Sequence, residues 1–133
     1  MTAAKLTDNA EVLLRQIHPN FLHDGEPSSD RFRPSERDAN MLSVDRGSMT
    51  HAADAHTIYT STGALSAAVF GVSVGEFAGE AVPCVSDAIE ATDTTPANPA
   101  HALADFNEHS VGRQKLISKK LKRAAVSRGQ LHP

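Results

Sequence analysis

The chain has 133 residues, 40% of them hydrophobic and 22% charged, with eight glycines, seven prolines and no tryptophan. This length and composition suit a single globular domain spanning residues 1–133, with a core of aliphatic side chains. The longest mostly apolar run, residues 64–74, is too short to span a bilayer. A lone cysteine, Cys84, excludes an internal disulfide, and residues 1–9 lack the apolar segment of a signal peptide, so we expect a cytoplasmic protein with no membrane contact.

The net charge of −3 conceals an uneven distribution of charge along the chain. Residues 1–109 contain all sixteen acidic residues and six basic ones, a net −10, whereas residues 110–133 contain seven basic residues and no acidic one. Such a division is typical of a charged tail that binds an oppositely charged partner, or of a helix that packs on the acidic part of its own chain.

The first forty residues predict little regular structure. The pattern Asp8-x-x-Glu11 resembles a capping box and predicts a helical start, which runs into a short strand ending near His18. Residues 19–41 are polar and punctuated by glycine and proline, so they predict a long loop, with Phe32 as an apolar anchor. A loop of this length is either functional or pinned onto the core.

The remaining elements alternate between short strands and helices. Strands are predicted at residues 41–44, 67–74, 82–85 and 100–106, with the best one at 67–74 because its residues are mostly β-branched or aromatic. Helices are predicted at residues 50–60, capped by Thr50, and at 110–128, capped by Ser110. Residues 75–81 suit a turn or a short helix, and residues 86–99 form a second polar loop. The predicted fold is therefore α+β, with a mainly antiparallel sheet covered by two to three helices.

The predicted last helix is strongly basic, and its role is open between three interpretations. Its charged face, including Lys119, Lys120 and Arg123, could bind the phosphates of a nucleic acid. It lacks the bulky apolar wedge of a helix that lies on a membrane. Its apolar stripe, which includes Ile117 and Leu121, favours packing on the acidic body of the same chain.

No motif for metal, phosphate or nucleophilic chemistry stands out. The histidines and Cys84 lack zinc-ligand spacing, since His51 and His56 are five residues apart and do not share a helix face. There is no glycine-rich phosphate loop and no Gly-x-Ser-x-Gly elbow. We therefore predict no metal site and no cofactor, and Cys84 is expected to be a buried, unreactive thiol.

Several segments in order resemble a family of small uncharacterised bacterial proteins. These are Leu13-Leu-Arg-Gln-Ile-His-Pro19, Pro27-Ser-Ser-x-x-Phe-Arg-Pro34, Leu42-Ser-Val44, Pro99-Ala-His-Ala102 and the basic helix closing with Arg128-Gly129. The resemblance spans most of residues 12–129 and implies a shared fold without an activity. It directs attention to polar residues inside the matching segments, beside strands or in a long loop: Arg15, His18, Ser28, Ser29, Ser43 and His101.

Two classes of function follow. Small size, absent catalytic motifs and divided charge favour a binding or accessory protein of a bacterial defence or toxin–antitoxin system, with a protein partner. Alternatively, Arg15 on an early strand, Ser43 on the next and His101 on a late one are loosely similar to ADP-ribosyltransferases, although Glu108 is the only nearby substitute for their glutamate. Convergence of Arg15, Ser43 and His101 in a cleft would favour the enzyme, and their separation would favour binding.

Overall fold

A computed structural model describes residues 4–133. Its main sheet has five antiparallel strands in the order β5-β1-β4-β7-β6, and a two-stranded hairpin, β2-β3, lies apart from it. The strands are β1 (Val12–Ile17), β2 (Leu22–His23), β3 (Glu26–Pro27), β4 (Met41–Arg46), β5 (Ala68–Ser73), β6 (Cys84–Ser86) and β7 (His101–Asp105). The helices are α1 (Ala52–Ser61), α2 (Val74–Gly79) and α3 (Val111–Arg128). The predicted α+β fold with a mainly antiparallel sheet and a C-terminal helix is confirmed, in one compact domain.

The two faces of the sheet are covered by different helices because successive strand residues point to opposite sides. On one face Leu13, Ile17 and Phe70 form the main core with Ile117 and Leu121 of α3. On the other face, Leu14 and Val69 pack against Ala55 of α1. The second cluster is much smaller, so the sheet face under α1 is only partly filled.

The N-terminal region departs from its prediction. Residues 8–11 form a turn in which the Asp8 carbonyl accepts from Glu11 N, and no helix begins there. The Glu11 side chain bonds to Arg46 and Ser48 instead of capping a helix. The resemblance to a capping box was misleading because the strong β1–β5 pairing, six residues long, takes over the chain from Val12 onward.

The long loop at residues 19–41 is ordered by local structure. It contains three short 3₁₀ helices, at residues 19–21, 29–32 and 36–38, and the β2-β3 hairpin. Phe32 is fully buried in the main core, and Arg33 Nη1 donates to Ser118 Oγ of α3 at 3.1 Å. The loop is therefore pinned onto the same sheet face as α3.

Other boundaries shift by a few residues. The β4 strand extends two residues beyond the predicted segment, to Arg46, and β5 ends at Ser73 because Ser73 caps α2. The α1 helix begins at Ala52, two residues later than predicted, and its N-cap residue is His51 instead of Thr50. The α3 helix begins after Ser110, as predicted, with its hydroxyl accepting from Arg113 N.

Chain ends cover both edges of the main sheet. Leu6 N donates to the Cys84 carbonyl beside β6, and Leu131 N donates to the Val69 carbonyl beside β5. Paired edges leave little free backbone for strand addition by another chain. No helix within residues 4–133 combines the length and apolarity needed to cross a bilayer. Residues 1–3 lie outside the described part of the chain.

Candidate functional site

A cleft of about 200 Å³ opens on the sheet face that α1 covers. It lies between α1 and the polar loop at residues 86–99, and we call it the α1 cleft. Strands β1, β4 and β7 form its floor. Its lining residues are Leu14, Arg15, Gln16, Ser43, Val44, Asp45, Ala55, Ile58, Tyr59, Thr62, Ile89, Thr95, Pro96, Asn98 and His101.

The exposed surface of the α1 cleft is mostly apolar, although more than half of its lining residues have polar side chains. Leu14 contributes from β1, Ile58 from α1, and Ile89 and Pro96 from the loop. An apolar cavity that holds a small number of placed polar groups is the usual form of a small-molecule site.

Asp45 supplies the buried carboxylate of the cleft. Only 8% of the residue is exposed, and it lies opposite His101 in the β4–β7 ladder. Asn98 Nδ2 donates to Oδ1 at 2.8 Å, and Oδ2 receives no hydrogen bond from residues 4–133. Burial raises the pKa of Asp45, although the Asn98 amide and the nearby His101 and Arg15 act in the opposite direction. The carboxylate is therefore held in a cleft with less compensation than its burial requires.

Gln16 is a second incompletely satisfied group in the same cleft. Its Oε1 accepts from Ser66 Oγ at 2.7 Å, but its Nε2 is buried without a partner, alone among the fully buried side-chain polar atoms of residues 4–133. A buried donor left unpaired costs about 1–3 kcal/mol, so such a group in a native protein needs an explanation. Because Nε2 has no exposed surface, a ligand in the α1 cleft could reach it only after the side chain moves.

Arg15 lies where β1 and β4 separate. These strands share two register pairs, Leu13–Arg46 and Leu14–Asp45, and Arg15 follows the second. Its Nη1 donates to the Ser43 carbonyl at 3.1 Å, and its Nε donates to the Arg31 carbonyl at 2.7 Å. Burial, aided by the charge of Arg31, lowers the pKa of Arg15 to about 10, so the guanidinium stays charged at neutral pH. Arg15 therefore has a structural role, because it donates hydrogen bonds to backbone carbonyls where the pairing of β1 and β4 ends.

His101 forms a dyad with Asp87 at the loop side of the cleft. Its Nδ1 lies 3.0 Å from Asp87 Oδ2 and 3.1 Å from the Asp87 carbonyl. Both partners are acceptors, so Nδ1 carries a proton, and Nε2 is an acceptor in the neutral ring. Nε2 makes no hydrogen bond within residues 4–133. The ring is oriented by the dyad and available on its other side.

Ser43 completes the predicted trio in the cleft, but it is exposed and not activated. Its hydroxyl makes no hydrogen bond to His101 or to any other group among residues 4–133, and its register partner is Leu103. Nucleophilic catalysis needs a base within hydrogen-bond reach of the nucleophile. Arg15, Ser43 and His101 thus all line one cleft without forming a nucleophile–base pair. Arg15 alternates with Leu13 and Ile17, so its side chain leaves β1 on the opposite face from Ser43 and His101.

The other predicted loop residues lie outside the α1 cleft. His18 Nδ1 accepts from Asn20 N at 3.0 Å and caps the turn at residues 19–21. Ser28 Oγ donates to Asp30 Oδ1 at 2.9 Å and to the Phe21 carbonyl at 3.3 Å. Ser29 begins the 3₁₀ helix at residues 29–32. The contacts of His18 and Ser28 organise the loop locally and bring neither residue near Asp45.

The basic face of α3 is divided between paired and unpaired charges. Two lysines form ion pairs: Lys120 Nζ lies 3.4 Å from Glu80, and Lys122 Nζ lies 3.6 Å from Glu26. Arg128 Nη1 lies 2.8 Å from Glu76 and also donates to the Gly71 carbonyl. Lys119 and Arg123 are exposed and have no acidic partner within residues 4–133. The helix packs through Ile117, Leu121 and Ala125, which are buried, so it covers its own sheet and still presents cations to solvent.

Sequence reasoning missed Asp45, Asn98 and Gln16. The predicted strand at residues 41–44 stops before Asp45, whereas β4 continues through it to Arg46. The alternation Leu42-Ser43-Val44-Asp45 carried the signal, because it places Asp45 on the same face as Ser43. Nothing in the sequence marked Asn98, which reaches the cleft from a loop.

Cys84, by contrast, is buried as expected, and burial raises its thiol pKa to about 12.

Within residues 4–133 no three His, Cys, Asp or Glu side chains group in a way that could hold a metal ion. No protein-family model, curated protein or solved structure matches the chain. The resemblance to a family of small bacterial proteins stays a prediction. The candidate site therefore rests on its own geometry.

Proposed function

We propose that the chain is a binding protein whose α1 cleft holds a small organic molecule. The observation that carries this proposal is the Asp45 carboxylate, which is buried in a cleft with apolar walls and accepts one hydrogen bond, from Asn98. A buried charge with so few donors lowers stability, and a ligand that donates to it offsets that loss.

The size of the cleft limits the ligand. An engineered cavity of about 150 Å³ in another protein holds a benzene ring. The α1 cleft, at about 200 Å³, suits one ring with a polar substituent, or the ring end of a larger molecule that extends into solvent.

A ligand screen by NMR tests the proposal. Single-ring fragments are added to ¹⁵N-labelled protein, and amide shifts are followed. Fragments that bind should shift amides of residues lining the cleft, such as Gln16, Asp45 and His101, and should raise the melting temperature by mass action.

A matched pair of variants localises the binding. Thr95 lines the cleft, whereas its neighbour Thr94 is exposed and does not. Thr95→Trp should fill the opening and abolish the shifts, and Thr94→Trp should leave them unchanged. Fragments that bind equally well to both variants, or a screen in which no fragment shifts a cleft residue, would refute the proposal.

An enzyme of the ADP-ribosyltransferase type is the second candidate, because Arg15, Ser43 and His101 all line the cleft. Two observations weigh against an enzyme of this type. Arg15 uses Nε and Nη1 on backbone carbonyls, and the cleft carboxylate is Asp45 on β4, whereas Glu108 lies in an exposed turn. Release of nicotinamide from NAD that is lost in Arg15→Lys would favour the enzyme, and we expect no release.

Action on a partner protein in a defence or toxin–antitoxin system stays a prediction from size and charge. Nucleic-acid binding through Lys119 and Arg123 stays one too. Both concern the outer surface of the molecule, and neither conflicts with a ligand in the α1 cleft.

A further inference from the structure

Two acceptors remain free beside the buried carboxylate of the α1 cleft, and the nearby Ser43 hydroxyl can either donate or accept. Asp45 Oδ2 has no donor among residues 4–133, and it is not one of the fully buried, unpartnered atoms, so it keeps contact with the cleft. Asn98 uses its Nδ2 on Asp45, and the Asn98 Oδ1 receives no hydrogen bond from the residues that the structure describes. A ligand group that lies against Asp45 Oδ2 and Asn98 Oδ1 must bring hydrogen-bond donors to both oxygens.

The cations near the cleft are poorly placed to bind an anion. Arg15 is the cationic residue among those that line it, but it alternates with Leu13 and Ile17, and its Nε and Nη1 are held by the carbonyls of Arg31 and Ser43. His101 is oriented by the Asp87 carboxylate. An anionic ligand would be repelled by the Asp45 carboxylate, whereas a cation would neutralise it.

The apolar surfaces around the acceptors select for a ring. Leu14 forms part of the floor, Ile58 lies on the α1 side, and Ile89 and Pro96 lie on the loop side. Apolar walls on opposite sides suit a flat hydrophobic group, and a planar N–H donor group conjugated to that ring would lie in its plane.

We propose that the ligand of the α1 cleft is a planar nitrogen compound that presents N–H donors, an amidine or an amino-substituted heterocycle, to Asp45 Oδ2 and Asn98 Oδ1. This inference rests on the proposed function and specifies the chemistry of the same site. It assigns Asp45 as the residue that determines specificity for a donor over an acceptor.

Three probes of one shape test the proposal. Benzamidine is a cationic donor, benzamide a neutral donor and acceptor, and benzoate an anionic acceptor. Titrations of the full chain, followed by NMR shifts of cleft amides, should give the order benzamidine, then benzamide, with no binding of benzoate. The Asp45→Asn variant should bind benzamidine about tenfold or more weakly, since a hydrogen bond to a charged group is lost, and should bind benzamide with a smaller change.

Glu90→Gln is the matched control. It makes the same change of charge in the loop next to Ile89, at an exposed position that does not line the cleft. Its affinity for benzamidine should equal that of the unmodified chain. A correctly folded Asp45→Asn is recognised by unchanged amide shifts away from the cleft.

The outcomes separate this inference from the proposed function. Benzoate binding more tightly than benzamidine, or benzamidine affinity unchanged in Asp45→Asn, would overturn the ligand class and leave a ligand-binding cleft. Failure of all three probes while other single-ring fragments bind the cleft would also overturn the ligand class alone. If no fragment of any chemistry binds, the proposed function itself is wrong.

Discussion

The two buried carboxylates Glu11 and Asp45 have opposite environments, although they lie close together in the fold. Glu11 forms an ion pair with Arg46, the residue that follows Asp45 in β4. Glu11 is 6% exposed, and it accepts from both Nε and Nη2 of Arg46 at 3.0 Å and from the Ser48 hydroxyl. Asp45, the residue before Arg46, is 8% exposed, and among residues 4–133 it accepts from the Asn98 amide alone. The surroundings of Glu11 are complete, and those of Asp45 are not.

The pKa values reflect this difference. Burial by itself would raise the pKa of Glu11, but the hydrogen bonds from Arg46 and Ser48 outweigh it, and the pKa is lowered. Burial raises the pKa of Asp45, because one amide bond and more distant charges do not offset it. A buried carboxylate that its own fold compensates is structural, and one that the fold leaves short of donors is a candidate for binding.

The largest effect on the free energy of unfolding should come from removing Arg46, the main hydrogen-bond donor to Glu11. Arg46→Leu removes the cation from Glu11 and leaves a buried charge with one hydroxyl donor. We expect a loss of about 3 kcal/mol in the free energy of unfolding, measured by urea denaturation. Lys120→Leu breaks the exposed pair with Glu80 and should cost less than about 1 kcal/mol. Equal losses in the two variants would show that the Glu11–Arg46 pair is no more important than a surface pair.

Substituting each carboxylate by its amide gives opposite signs. Glu11→Gln places an amide N–H₂ where Arg46 offers a donor, and it should lower the free energy of unfolding by about 2 kcal/mol at neutral pH. The lowered pKa of Glu11 means that its stabilising contribution is present above the ordinary value of 4.5 and is lost as the pH falls through the folded-state pKa. The difference between this variant and the unmodified chain should therefore shrink in acid. A difference that does not vary with pH would assign the loss to shape instead of charge.

Asp45→Asn should have the smallest effect, and it should be stabilising. The introduced amide keeps an acceptor for Asn98 and removes a poorly compensated charge, so we expect a gain on the order of 1 kcal/mol in thermal unfolding at neutral pH. The raised pKa of Asp45 means that its charge lowers stability above the folded-state pKa, and that this penalty disappears as the pH falls through it. The gain should fade in acid, while ligand binding is impaired at neutral pH. A loss of stability would place Asp45 with Glu11 as a structural carboxylate.

The comparison also shows which parts of the molecule were predictable. The strand at residues 67–74 and the helix at 110–128 were found from local pattern, because β5 is buried on both faces and α3 carries one apolar stripe. The chain from Asp8 to Glu11 was predicted wrongly, because a capping pattern is a weak local preference beside a six-residue strand pairing.

For the candidate site, several lining residues could be selected from the sequence, but their contacts and roles could not be predicted from it. Arg15, Ser43 and His101 were selected by resemblance, and all three line the α1 cleft. Their roles could not be deduced, because Arg15 is held by the carbonyls of Ser43 and Arg31, which are 28 and 16 residues away in the chain. Asp45 and Asn98 meet across 53 residues, a separation that no local pattern encodes.

The sequence by itself determined the fold class, the strand that anchors the core and the division of charge between body and last helix, since these depend on composition and on side-chain periodicity. Only the tertiary structure decided which carboxylate is compensated and which faces a cleft. The residues around Glu11 and Asp45 are equally ordinary in the chain. Their difference arises when Arg46 and Ser48 converge on Glu11, whereas α1 and the loop at residues 86–99 close over Asp45 and bring it a single amide.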